Sequence, residues 1–268
     1  CEHLGAALEF LLDAKSVLGL AMPPDEDVPL EHLTARELRQ RMLADRAQRA
    51  AIEKMTIKYV HPEKPWTDYV VTSVGSGRTY RVAVRSLDGD DSFCTCPDFR
   101  TNRLGTCKHI MQVRAKIKKK FSEAQLRSRY RRKRLSLGLR YGDFDGNRST
   151  GLQFFLPDPS IKAGRDEKMI ELVGELAEQS SSAVAGVMSR LQALETAGYD
   201  VTIFPDAEAF LQRRLTQQRL QQQAAGIRKN VEKHPLRTEL LNTNLLPYQL
   251  DGIAFAAGAG RAILADDM

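Results

Sequence analysis

The stretch FCTCPDFRTNRLGTCKHI, residues 93–110, decides how this chain is organised. It carries Cys94 and Cys96 as a C-x-C pair, then ten residues, then Cys107 and His109 as a C-x-H pair. Side chains two apart on an extended strand point to the same face, and the second pair suits a loop that enters a helix. Three thiolates and one imidazole complete a tetrahedron around Zn²⁺. We therefore predict a zinc site with no open position, which makes it structural rather than catalytic.

Cysteine usage supports the same interpretation. The alternative is a chance cluster of reduced thiols, buried as small apolar side chains. Only four cysteines occur in 268 residues, and three of them fall in this stretch. A secreted disulfide scaffold normally spreads more cysteines over a shorter chain, so the cluster favours an intracellular metal site. No apolar run is long enough to span a membrane. We expect an intracellular, cytoplasmic protein with no membrane partner.

The residues on either side of the cysteines predict two strands and a helix. Residues 69–74 are rich in β-branched side chains, and residues 80–85 alternate between apolar and other side chains, which is typical of a half-buried strand. After the ligands, apolar residues recur at helical spacing, namely Ile110, Val113, Ile117 and Phe121. Residues 66–121 are therefore predicted to form a ββα unit around the metal.

This arrangement resembles the SWIM-type zinc finger, a family with C-x-C, a variable gap and C-x-H on a two-strand-plus-helix unit. Pro97, Asp98 and Phe99 after the second cysteine also match, as does Lys108 between the last two ligands. The resemblance covers residues 66–121 and implies zinc as cofactor, with DNA binding or protein contact as the role. Cys1 and His3 repeat the C-x-H half ahead of an apolar helix, so residues 1–22 are expected to be the tail of an upstream finger.

A concentrated basic segment follows the predicted finger. The chain has a net charge of +6 and a pI near 9.2, and the segment 114–134 alone has eleven Lys or Arg against Glu123. Such a block indicates a polyanion partner, because Lys and Arg neutralise phosphates, and Tyr130 is a candidate to stack on a base. The alternative is a solvated helix face. The predicted nucleic-acid-binding residues are Lys116, Lys118, Lys119, Lys120, Arg127, Arg129, Arg131, Arg132, Lys133 and Arg134.

The last residues resemble the entry to a Swi/Snf-like, superfamily-two (DEAD/DEAH-box-type) DNA-dependent ATPase or helicase. The matching pieces are LLPYQLDG, residues 245–252, and ILADDM, residues 263–268, the strand that precedes the phosphate-binding loop in that family. The resemblance implies that Gln249 contacts adenine in a longer parent protein, which would use ATP and Mg²⁺. The loop itself would follow Met268, so we expect no ATP hydrolysis by this chain.

The expected fold class is α+β in small modules. They comprise a helical tail (1–22), a helical linker (23–65), the finger (66–121), the basic stretch (122–135), an α/β and helical linker (136–232) and the edge of a RecA-like α/β ATPase core (233–268). The expected function is that of a structural zinc-binding accessory region of a bacterial-type Swi/Snf-like ATPase, in contact with DNA. The alternative is a zinc-stabilised adaptor for a protein partner, with no nucleic-acid role. Binding that weakens with salt would favour the first.

Overall fold

The computed structural model describes residues 32–89, 91–141, 150–161, 166–174, 182–260 and 262, and divides the chain into two compact units, Cys1–Met42 and Leu43–Met268. In the first unit Thr34 caps helix α1 (Ala35–Ile52), which continues past the division. The Thr34 hydroxyl accepts from the Glu37 N–H at 3.3 Å, and the Glu37 carboxylate accepts from the Thr34 N–H at 2.9 Å. This reciprocal pair is a capping box. The helical tail predicted for residues 1–22 lies outside the described residues.

The second unit begins with a four-stranded antiparallel sheet in the order β1-β2-β3-β4. Its strands are β1 (Met55–Tyr59), β2 (Asp68–Ser73), β3 (Thr79–Ala83) and β4 (Phe93–Cys94). Strands β2 and β3 were predicted, whereas β1 falls in the segment expected to be a helical linker. Its pattern MTIKY buries Met55 and Ile57 and leaves Thr56 and Lys58 exposed. The sheet therefore starts before residue 66, the predicted start of the finger.

Three helices follow this sheet: α2 (Pro97–Asn102), α3 (Lys108–Lys120) and α4 (Glu123–Leu126). The predicted apolar face of α3 is confirmed, because Ile110, Val113 and Ile117 are fully buried and Phe121 is nearly so. Helix α4 is a single turn. The rest of the basic segment, from Ser128 to Lys133, has no helix or strand.

A second, three-stranded sheet contains β5 (Leu135–Arg140), β6 (Gly151–Phe155) and β7 (Val201–Ile203), in the order β6-β5-β7. Strand β5 pairs antiparallel with β6 and parallel with β7. Helices α5 (Glu167–Val173) and α6 (Ser182–Thr196) lie between β6 and β7 in the chain. All of these elements lie in the predicted α/β and helical linker (136–232), except that β5 begins one residue earlier, at Leu135.

The C-terminal part is helical. Helix α7 (Pro205–Arg228) is followed by a 3₁₀ turn (Val231–Lys233), the short α8 (Leu236–Glu239) and α9 (Pro247–Ala259). Helix α9 packs on α7, where Arg228 forms an ion pair with Asp251 at 2.7 Å. The strand predicted for residues 263–268 lies outside the described residues. Each described helix is too short or too polar to cross a lipid bilayer.

One hydrophobic core connects the two sheets. The ring centroid of Phe204, just after β7, lies 4.6 Å from that of Phe93 in β4 and 5.6 Å from that of Phe155 in β6. Buried residues of this core extend from Met55 to Leu211. The predicted α+β class is confirmed, but this shared core differs from the expected set of separate small modules. A unit of roughly 60 residues buries a smaller fraction of its surface than a larger domain does, and packing against a second sheet increases that fraction.

Candidate metal centre and basic groove

Strand β4 and helix α2 hold the first two cysteines. Cys94 pairs with Val82 of β3 and is completely buried. Cys96, two residues later, is extended and is the N-cap of α2, where its sulphur accepts the N–H of Phe99 at 3.4 Å. The Cys96 N–H in turn donates to the sulphur of Cys94 at 3.4 Å. Both sulphurs therefore have backbone donors that stabilise negative charge on them.

Asn102 fixes the loop that connects the two ligand pairs. Its side-chain N–H₂ donates to the carbonyl of Thr106 at 2.8 Å, and its side-chain oxygen accepts the N–H of Leu104 at 2.8 Å. The backbone turns through left-handed conformations at Arg103, with φ 56°, and Gly105, with φ 71°. This tight turn returns the chain to the start of α3, next to the first two cysteines.

Helix α3 supplies the second ligand pair at its N-terminus. Cys107 is its N-cap and His109 lies in its first turn, and both are buried. The Nδ1 atom of His109 lies 3.8 Å from the sulphur of Cys94 and 3.8 Å from that of Cys107. Ligand atoms of all four predicted residues, including Cys96, lie within 4.8 Å of one another. The structure thus brings the whole predicted ligand set together.

These distances fit a tetrahedral metal centre. Ligands at about 2.3 Å for sulphur and about 2.0 Å for nitrogen place a sulphur and a nitrogen about 3.5 Å apart, and two sulphurs about 3.8 Å apart. The two observed sulphur-to-nitrogen distances of 3.8 Å exceed that spacing by a few tenths of an ångström. Small side-chain rotations therefore close the site around one ion. Four protein ligands leave no position for a substrate, as a structural site requires.

The electrostatics of the cluster also favour a cation. Hydrogen bonds to Cys107 and Cys96 raise the pKa of Cys94, and burial raises the pKa of Cys107. Hydrogen bonds from Cys107 and Cys94 lower the pKa of Cys96 instead. Three thiolates at this spacing repel one another in a buried place, and a divalent cation at their centre offsets that repulsion. The cluster can therefore bind a metal ion, and its sulphur-rich donor set is compatible with zinc.

The outer side of His109 packs against an aromatic ring. Its imidazole centroid lies 4.8 Å from that of Tyr80 in β3. Its second nitrogen, Nε2, is buried and has no hydrogen-bond partner among the described residues. With Nδ1 directed at the sulphurs and Nε2 against the sheet, the ring is oriented by packing rather than by a carboxylate or carbonyl acceptor.

No protein-family model matches this chain, and neither the curated proteins nor the solved structures contain a significantly similar one.

The predicted basic residues occupy two different places. Lys116, Lys118 and Lys119 are exposed on helix α3. Lys120 ends that helix, donates to the carbonyl of Pro62 at 2.7 Å and lies 4.0 Å from the ring centroid of Tyr59. The remaining six residues lie in or after α4: Arg127, Arg129, Arg131, Arg132, Lys133 and Arg134.

Three of these six residues form ion pairs within the protein. Arg127 pairs with Glu123 at 3.0 Å, and Arg134 pairs with Asp200 at 3.1 Å, both on the exposed surface. Arg132 is different, because its side chain is 12% exposed and pairs with Asp91 at 3.2 Å. Its guanidinium also lies 4.8 Å from the ring centroid of Phe155. Arg132 thus contributes to packing between the sheets.

Folding adds three basic residues that sequence reasoning missed. Lys64, Arg81 and Arg85 line a groove of about 640 Å³ together with the residues around Arg129 and Arg131. Arg81 and Arg85 belong to the predicted alternating strand pattern. The alternation alone could therefore have placed both side chains on the polar face of the strand. Their position beside the basic segment depends on the tertiary fold and was not predictable from spacing.

Gln249, predicted to contact adenine in a longer parent protein, is exposed at the start of α9. Its side-chain oxygen accepts the N–H of Leu246 at 3.0 Å, so it caps the helix. Tyr248 beside it is 63% exposed. Since Gln249 lies at a helix start on the surface, its amide remains accessible to solvent.

Proposed function

We propose that this chain is a structural zinc-binding region of the SWIM type, and that it forms the accessory part of a Swi/Snf-like nucleic-acid-dependent ATPase or helicase. Zinc at Cys94, Cys96, Cys107 and His109 neutralises thiolate charge and ties β4 to α3. The observation that carries the proposal is the closed, fully buried set of four ligands. The resemblance of residues 66–121 and 245–252 to those families supplies the rest.

We propose further that the region contacts DNA. The support is charge: the basic segment is exposed over most of its length and is adjacent to three more basic residues in the folded chain. Contacts of this kind are made with phosphates and carry no sequence information. The proposed role of the region is therefore sequence-independent attachment to DNA. Any chemistry with ATP and Mg²⁺, including a role of Gln249, belongs to a longer parent protein.

Metal content tests the first part of this proposal. Elemental analysis of the purified chain is expected to give one zinc per molecule, and Cys96→Ser is expected to lose it. Cys1→Ser is the matched control, since it makes the same chemical change outside the four-ligand set and is expected to keep the zinc. Loss of metal binding in small zinc domains removes folding free energy of about 10 kcal/mol or more. Equal zinc content in both variants would overturn the assignment.

A second candidate function has its own observation. Helix α9 and the connection that precedes it expose several large apolar side chains, namely Leu240, Leu241, Leu246, Tyr248 and Phe255. Exposed apolar surface is typical of protein-binding sites. The chain would then be a zinc-stabilised adaptor for a protein partner. Titration with duplex DNA over a salt series distinguishes the two functions. For phosphate binding, log K falls linearly with the logarithm of the salt concentration, whereas binding through an apolar interface shows no such fall.

A further inference from the structure

A groove opens between the first sheet and the extended part of the basic segment. Its walls come from residues 60, 61 and 64–68, from Arg81, Arg85 and Phe93, and from residues 128–134, with Ser136, Thr202 and Phe204 at the second sheet. Its volume is about 640 Å³. The groove thus contains residues from both sheets and is a product of their packing.

The charge of this groove is strongly positive. Asp68 is the single carboxylate among its lining residues, against eight cations: Lys64, Arg81, Arg85, Arg129, Arg131, Arg132, Lys133 and Arg134. Asp68 is itself shared, because Arg81 at 2.6 Å and Arg85 both pair with it. With His61 neutral, the lining residues have a net charge of +7. Three carboxylates outside the lining offset part of it, because Glu63, Asp91 and Asp200 pair with Lys64, Arg132 and Arg134 respectively.

Three of these cations have no carboxylate partner within 4.0 Å in the part of the chain that the structure describes. They are Arg129, Arg131 and Lys133, and all three are exposed. Asp158 is near enough for the charges of Arg129 and Arg131 to help lower its pKa, after its hydrogen bonds with Ser160, but it forms no ion pair with them within 4.0 Å. The three exposed side chains are therefore available for an external anion. Exposure alternates along this segment, because Tyr130 and Arg132 between them are half-buried, so the three exposed side chains share the solvent side.

The aromatic residues of the groove are covered. Trp66 is 8% exposed and donates its indole N–H to the carbonyl of Ser128. The Tyr130 ring, a candidate for base stacking, lies between two guanidinium groups, with Arg85 at 4.4 Å and Arg132 at 5.7 Å from its centroid. A groove with covered rings and exposed cations suits phosphates rather than bases.

We propose that this groove, rather than the lysine-rich face of α3, holds the phosphate backbone of nucleic acid. The inference rests on the proposed contact with DNA and assigns it to a place. Lys116, Lys118 and Lys119 belong to the same run of charge in the sequence but do not line the groove. Arg129, Arg131 and Lys133 carry the contact, while Arg85 and Arg132 hold Tyr130 and the groove wall in place.

Two triple variants with the same loss of charge test the assignment. One is Arg129→Gln, Arg131→Gln and Lys133→Gln together; the other replaces Lys116, Lys118 and Lys119 with Gln. The probe is a short labelled duplex of mixed sequence, titrated at several salt concentrations. Three lost phosphate contacts reduce the slope of log K against log salt by about 2.7, which corresponds to roughly a hundredfold weaker binding near physiological salt. The groove variant is expected to show this loss, and the helix variant at most a few-fold change.

Equal weakening of DNA binding in both variants would overturn the assignment of the contact to the groove. The proposed DNA contact would then stand as an effect of overall charge. No salt-dependent binding by the parent chain would instead overturn the DNA contact itself. Single-stranded DNA of the same length is a second probe. A homopolymer and a mixed sequence are expected to bind with equal affinity. A strong preference for one base would show stacking or edge contacts and would contradict recognition through phosphates. Zinc content, measured in both variants, confirms that the centre is intact.

Discussion

Replacing Gly105 with alanine tests the turn that positions the second ligand pair. Gly105 has φ 71°, and an added Cβ would lie 2.9 and 3.0 Å from two ring carbons of Tyr141. Tyr141 cannot move away without cost, because its hydroxyl donates to Asp206, which is 3% exposed. The substitution therefore combines backbone strain with the loss of a buried hydrogen bond.

The expected loss of stability follows from these terms. A left-handed alanine costs about 1–2 kcal/mol, and loss of the hydrogen bond adds about 1–3 kcal/mol. Restriction of the unfolded chain by alanine offsets about 0.4–1 kcal/mol. Gly105→Ala is therefore expected to lower the free energy of unfolding by about 2–4 kcal/mol. Gly77→Ala is the matched control, since Gly77 has φ 66° and an added Cβ meets nothing within 4 Å; its expected loss is about 1 kcal/mol.

Urea unfolding at fixed zinc concentration, followed by far-ultraviolet circular dichroism, measures both variants. The midpoint is expected to fall further for Gly105→Ala, with the slope unchanged. Competition with a chelator is expected to show weaker zinc binding in Gly105→Ala alone, because Cys107 lies two residues beyond it. Equal losses in the two variants would refute the role assigned to the Tyr141 contact.

Two more variants test the surroundings of the metal centre. Asn102→Ala removes the hydrogen bonds to Leu104 and Thr106, so a loss of about 1–3 kcal/mol in urea unfolding and weaker zinc binding are expected; unchanged affinity would contradict its positioning role. Burial raises the pKa of Asp206 above its unfolded value, so its stabilising protonated form is lost as pH rises through the folded pKa. Asp206→Asn, which stays neutral and can still accept from Tyr141, is expected to melt higher than the parent at pH 7 but not at pH 4; an identical difference at both pH values would argue against this origin.

The metal centre was predictable because its signal is local. All four ligands fall within 16 residues, and the element types around them follow from alternation and helical periodicity. The ligand atoms are brought together by one strand end, one turn and one helix start. Only the supporting contacts, such as the hydrogen bonds of Asn102, needed the structure, because Asn is equally common in loops with no such role.

The strand β1 and the groove were not predictable for two different reasons. MTIKY follows a helix, and no turn-forming residue occurs between residues 49 and 54. The sequence therefore predicts that the helical segment continues, although the five residues of MTIKY alternate as a strand does. The groove depends on contacts between residues far apart in sequence, such as Arg132 with Asp91 and Trp66 with Ser128. Charge in the segment 114–134 indicated a polyanion partner, but one run of sequence contains both the helix face and the groove wall.

The parallel pairing of β5 with β7 has a consequence for the order of folding. Leu135 lies opposite Val201, 66 residues later in the chain, whereas the zinc ligands span 16 residues. Closing the longer loop costs about 1 kcal/mol more chain entropy, and non-local pairings form late. During synthesis, the metal centre can therefore close while β5 still lacks its second neighbour. Until β7 arrives, the apolar strand with Leu135, Leu137 and Leu139 keeps an open edge, which makes the nascent chain vulnerable to aggregation at that stage.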